Sequence, residues 1–156
     1  LRSTYLRDVG LFDPTYFLYY EDFDLSWRGR SAGWTYRYQP DAVVFHEHAY
    51  SSKAGSEFFH YWVDRNRRLT LVKNAPAGVA ARAVVGSVTR VVRFLARHWL
   101  NQASRLRPPS PRVVRDQLTG FWRFVSALPR ALRERRRIAR RSTVSRTEIA
   151  AWTVHK

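Results

Sequence analysis

The feature that most constrains this chain is the break in its charge near Pro76. Residues 1–75 carry 10 Lys and Arg against 9 Asp and Glu, whereas residues 76–156 carry 18 against 3. A balanced, aromatic-rich segment can close around a core. An Arg-rich one seeks a polyanion, either a membrane surface or a nucleic acid. The charge break therefore divides the chain into 1–75, an ordinary globular piece, and 76–156, a basic helical extension. At 156 residues the chain is long enough for one real core. It has no Cys, which excludes disulfides and thiolate metal sites and fits a reducing compartment. It has no Met, even at position 1, so the expectation is that the first part of a longer protein precedes Leu1. No run of eighteen apolar residues occurs, so no spanning helix is expected.

Helical periodicity is clearest beyond Pro76. Over 77–101, at about 100° per residue, Arg82, Arg90, Arg93 and Arg97 fall within an arc of about 80°. Val84, Val85, Val88, Val91, Val92, Leu95 and Trp99 fall within a separate arc of about 120°. That is a two-faced basic helix. Arg107-Pro108-Pro109 breaks it, and Ser110-Pro111 is a cap followed by proline in the first turn of the next helix. Pro129 is expected to kink or end that helix. Ser145-x-x-Glu148 reads as a capping box for a last short one.

The first half is read less regularly. Residues 1–20 contain Gly10 and an Asp13-Pro14 turn signal and are expected to form a strand or turn, then a loop. That loop carries Phe12, Tyr16, Phe17, Tyr19 and Tyr20 toward a cleft, although by themselves these rings read as core. Glu21–Arg30 reads as a short helix with acids at its positive end and Gly33 at its C-terminal cap, with Phe23, Trp27 and Leu25 able to pack inward. Trp34–Tyr38 alternates like a strand, and Ala42–Phe45 reads as a short buried strand delivering His46. A helix is expected from Ser56, as cap, to Asn74.

Three groups could carry chemistry. An acidic pair ahead of a helix, Glu21-Asp22, is by spacing a cap, but a carboxylate at a cleft mouth can also take a hydroxyl proton. His46, with His48 on the same side, reads as a core residue, a base or a metal ligand. Arg65 could clamp a phosphate by paired hydrogen bonds, or brace the acidic loop.

Val9-Gly10-Leu11-Phe12-Asp13, Tyr20-Glu21-Asp22-Phe23-Asp24-Leu25 with Arg28 and Gly33, and Pro40-Asp41-Ala42-Val43-Val44-Phe45-His46 together resemble the acceptor-side half of a family 2 glycosyltransferase. The resemblance extends to bacterial rhamnosyl- and galactofuranosyltransferases and covers about the first half of the chain. It implies an α/β fold, with 1–75 as the acceptor-side part of a GT-A mixed-sheet domain whose nucleotide-binding half lies upstream, and 76–156 as an all-helical basic tail. It also implies inverting transfer from a nucleotide-sugar donor to a glycan or lipid-linked acceptor in cell-envelope polysaccharide synthesis. Asp22 becomes the general base, and Glu21 either orients it or contacts the acceptor, while Asp24 is structural. Tyr20, Trp27, Arg65 and Asn66 become substrate-binding residues. His46 helps hold a divalent cation, Mn or Mg, whose other ligands lie upstream.

The tail then has a role of its own. Arg82, Arg90, Arg93 and Arg97 are placed on an anionic membrane surface, which locates the protein in the cytoplasm, peripheral to the inner face of the plasma membrane. The alternative is a non-enzymatic basic module that binds membrane or nucleic acid. Nucleic acid is disfavoured because the Arg surplus lies in the tail, the aromatics concentrate in the neutral half, and no nucleic-acid-binding signature is present.

Overall fold

Local signals account for most of the helix boundaries. The computed structural model describes residues 1–45 and 56–151. The helices are α1 (Ser3–Val9), α2 (Glu21–Ser31), α3 (Glu57–Asn74), α4 (Ala77–Ala103), α5 (Pro111–Arg141) and α6 (Arg146–Ala151). Ser56 caps α3, its hydroxyl accepting from the Phe59 N–H at 3.1 Å. Ser145 does the same for α6 through the Glu148 N–H. α2 ends at Gly33, whose φ of +86° is easy only for glycine. There the Gly33 N–H donates to the Arg30 carbonyl and the Trp34 N–H to that of Gly29, which is a Schellman closure.

Short connections make α3, α4 and α5 packed neighbours, with α3 in contact with both others. The core joins Leu69 and Val72 of α3 to Phe124 and Ala131 of α5, with Tyr16 covering them from the loop before α2. It therefore draws on both sides of Pro76. Arg135 reaches back from α5 and donates to the carbonyls of Val72 (2.8 Å) and Ala75 (2.6 Å), serving the free carbonyl end of α3. α5 runs through Pro129 without ending. The lost backbone bond is offset by buried Ala131 and Ile138 beyond it and by the anchor at Arg135.

The expected mixed α/β sheet is not formed: among the described residues there is no strand. Residues 3–9, expected as strand or turn, are helical, because Tyr5 is buried against α2 and its hydroxyl donates to the Leu25 carbonyl at 2.8 Å. The alternation over 34–38 has a different cause from strand pairing. Trp34 and Tyr36 both face Tyr5, edge-on at 5.4 Å and 6.2 Å. The apolar run Ala42–Phe45 has no neighbouring strand among the described residues to take up its backbone, and Phe45 is 97% exposed.

Candidate functional site

The site is built on the loop between α1 and α2. Asp13 starts it with an Asx turn, its carboxylate accepting from the Thr15 N–H at 2.9 Å. The same carboxylate pairs with Lys73 (2.8 Å) and Arg130 (3.3 Å). Burial alone would raise the pKa of Asp13, but the bonds from Lys73 and Thr15 prevail and hold it at about 2.

Lys73 also pairs with the fully buried Asp24 at 2.8 Å. Asp24 accepts in addition from Asn74 Nδ2 and Arg28 Nε, both at 2.9 Å. Arg28 then donates to the carbonyls of Val9 (2.6 Å) and Leu11 (2.8 Å). Each buried charge thus meets an opposite charge or a hydrogen-bond partner, and the set locks α2 to α3 and to the chain leaving α1. Asp24 is spent on this structural role.

Asn66, fully buried on α3, sets the other end of the loop. Its Nδ2 donates to the carbonyls of Leu18 (2.6 Å) and Tyr19 (2.9 Å). Directly after these carbonyls, Tyr19 and Tyr20 sit at φ of 65° and 71°, a left-handed region that side chains with a Cβ avoid. Two adjacent strained residues persist only where their surroundings over-determine them, and Asn66 is the group that does so. Arg65 adds a bond to the Thr15 carbonyl (3.2 Å) and another to Asn66 Oδ1 (2.7 Å), with its guanidinium 5.3 Å from the Trp62 ring centroid.

Glu21 and Asp22 follow this strained pair as the first two residues of α2. Asp22 is exposed; one carboxylate oxygen accepts from the Phe23 N–H at 2.8 Å, and the other has no partner among the described residues. Glu21 Oε2 is buried and has no partner among the described residues, and neither do buried Trp27 Nε1 and Arg65 Nε. Unpaired buried polar atoms are uncommon and costly, and here three of them fall on residues singled out as site candidates.

Aromatic rings of the loop pair with rings of α2 and α3. Phe17 packs on Trp62 at 5.4 Å, Tyr19 on Phe59 at 5.0 Å and Tyr20 on Phe23 at 5.3 Å. Of the rings read as core, only Tyr16 is buried, and burial followed by the nearby Asp24 charge raises its phenol pKa. Phe12, Phe17 and Phe23 are exposed. Such a surface presents flat apolar faces beside a free carboxylate, a chemistry suited to the C–H face and hydroxyl edge of a sugar.

The structure thus brings Tyr20, Glu21, Asp22, Arg65 and Asn66 together around one loop, whereas Trp27 lies further along α2. His46 lies outside the described residues. Among the described residues there is no group of three or more His, Asp or Glu side chains that could hold a metal ion. Of the tail arginines, Arg90 pairs with Asp64 at 2.8 Å, while Arg82, Arg93 and Arg97 are exposed. Sequence reasoning missed Lys73 and Asn74. Their one signal is two polar residues closing a helix just after Leu69, Leu71 and Val72.

No family model matches the chain, and no solved structure matches it. Over 52 residues it is 44% identical to the N-acetylglucosaminyl-diphospho-decaprenol L-rhamnosyltransferases of two strains of Mycobacterium tuberculosis. The match covers 33% of this chain and 17% of the curated relatives' length. A third of the chain is therefore similar to part of a glycosyltransferase.

Proposed function

We propose that the chain supplies the acceptor side of a glycosyltransferase that moves a sugar from a nucleotide-sugar donor to a hydroxyl of a lipid-linked glycan, with inversion. The observation that carries this reading is the strained Tyr19–Tyr20 pair, fixed by Asn66, which sets the exposed Asp22 carboxylate at the start of α2, between the paired rings of Tyr20 and Phe23 in sequence. Strain of this kind concentrates at functional sites. The partial similarity to rhamnosyltransferases supports the same chemistry.

In this reading the rings hold the acceptor sugar by its apolar face. The free oxygen of Asp22 takes the proton of the acceptor hydroxyl as the hydroxyl oxygen bonds to the anomeric carbon of the donor. The bond from that carbon to the nucleotide diphosphate breaks in the same step, and the diphosphate leaves with the electron pair. Glu21 orients the acceptor, and Arg65 holds the loop that carries both acids.

The test is to express the complete reading frame that contains this chain and supply it with N-acetylglucosaminyl-diphospho-polyprenol and a panel of nucleotide sugars. Product formation is followed by mass spectrometry. One donor yielding an acceptor longer by one sugar supports the reading. Absence of product with every donor, from a folded protein, overturns it.

A further inference from the structure

The apolar arc of α4 is not all used in packing. Val84, Val91 and Leu95 are half-buried, whereas Val85, Val88, Val92 and Trp99 face solvent. Toward the end of α4 this stripe meets a second one on α5. Trp99 (59% exposed), Val114, Leu118 and Trp122 (68% exposed) line one open groove of about 670 Å³, floored by Pro109 and Pro111.

The turn between the helices carries Leu106, which is 97% exposed and at φ 51°. An exposed leucine in a left-handed conformation gains nothing within the fold. The turn itself is held in place: His98 Nε2 accepts from the Ser110 N–H at 3.1 Å, tying the last turns of α4 to the start of α5.

Charge surrounds this apolar end. Arg105 and Arg107 flank Leu106, Arg93 and Arg97 lie on the last turns of α4, and Arg112 and Arg115 on the first of α5. No Asp or Glu occurs over residues 76–115. The nearest acid, Asp116, stands at 3.8 Å from Arg112 and 3.5 Å from Arg115.

From this geometry we infer that the α4–α5 hairpin end is a membrane-insertion element, with Leu106, Trp99 and Trp122 entering the interface of an anionic bilayer and the arginines engaging lipid phosphates. Tryptophan is at home at that depth, and arginine can keep its head in the headgroup layer while its stem lies along the apolar surface. A second copy of the chain would bring the same positive rim and be repelled. A nucleic acid would leave the apolar centre uncovered. No helix among the described residues is long and apolar enough to cross a membrane, so the contact is interfacial. The contact moves away from the middle of α4, where Arg90 is held by Asp64. This inference is independent of the catalytic reading.

The absence of native cysteine makes the test direct. In the full chain, single cysteines replacing Leu106, Trp122 or, as an exposed control, Gln39 carry a polarity-sensitive dye. Vesicles are phosphatidylcholine alone or with about a third phosphatidylglycerol. The dye at 106 and 122 is expected to shift to the blue on anionic vesicles only, and the dye at 39 not at all. Co-sedimentation of the unlabelled chain should fall roughly thirtyfold for Arg105→Gln with Arg107→Gln, at about fivefold per basic residue. For Leu106→Asp it should fall at least roughly tenfold, with unchanged far-ultraviolet circular dichroism, since so exposed a side chain supports no packing. The inference is overturned if the chain does not sediment with anionic vesicles, or if it does so with the dye at 106 still in water. It is equally overturned if Leu106→Asp dissolves a dimer formed without lipid, or if DNA rather than lipid shields position 106.

Discussion

Asn66→Asp is the sharpest perturbation of the loop that carries the acidic pair. The substitution keeps the size of the side chain and the oxygen that accepts from Arg65, so it removes one thing: the two N–H donors to the carbonyls of Leu18 and Tyr19. It also places a carboxylate oxygen against those carbonyl oxygens. Each buried carbonyl left without a donor costs about 1–3 kcal/mol. Relaxation of Tyr19 and Tyr20 from their left-handed conformations returns roughly 1 kcal/mol, and the closer charge on Arg65 returns part of the rest. The net expectation is a loss of about 3 kcal/mol. Urea unfolding followed by circular dichroism measures it as a fall in midpoint at constant slope. Limited proteolysis should in parallel cut faster within residues 13–20, because the loop loses its clamp while the α3–α5 core is untouched. A stability change below about 0.5 kcal/mol, with unchanged cleavage, would refute the argument that Asn66 holds the strained pair.

Two further expectations follow from the network around α2. The carboxyl of Asp13 is held at about 2 in the fold, below its ordinary 3.8, so its contribution is present above pH about 4 and is lost as the pH falls toward 2. That shift corresponds to about 2.5 kcal/mol, and to about half of this once solvent screening is allowed for; Asp13→Asn should flatten the fall in unfolding midpoint between pH 5 and 2, and an unchanged slope would count against the network. Gly29 lies against the hydroxyls of Tyr5 and Tyr36, and a Cβ there would strike both. Gly29→Ala should therefore cost about 1–3 kcal/mol in thermal unfolding despite its better helix propensity, and a neutral or stabilising result would mean that α1 is not docked on α2 as described.

What could be read from the sequence was what local chemistry decides. Ser56, Ser145 and Gly33 mark helix ends through bonds spanning a few residues, and the bounds of α2, α3 and α4 followed closely. Pro129 shows the limit of local rules, since contacts of Ala131, Arg135 and Ile138 carry the helix past it. The strands failed for a related reason. A period of two in Trp34 and Tyr36 records which side chains reach Tyr5, and the pattern cannot say whether a neighbouring strand exists.

In the candidate site, Glu21, Asp22, Arg65 and Asn66 were legible as residues, but the loop clamp was not. It joins Asn66 to carbonyls 47 and 48 residues away, and Lys73 to Asp13 across 60, separations over which spacing holds no information. The α4 wheel was drawn correctly as a wheel. Which half of its apolar arc meets α3 and α5, and which half meets solvent, depends on packing that no wheel contains.

The central claim is that Asp22 removes the acceptor proton, and one comparison tests it most directly. In the complete reading frame, Asp22→Asn is set beside the unchanged protein, with transfer rate, acceptor binding and urea midpoint measured on the same preparations. Because Asp22 is exposed and its one described bond is to a neighbouring N–H, the amide should preserve the fold and acceptor affinity. Transfer should fall by roughly two to four orders of magnitude, the range for loss of a general base. Retention of most of the transfer rate, with binding and stability unchanged, would contradict the account.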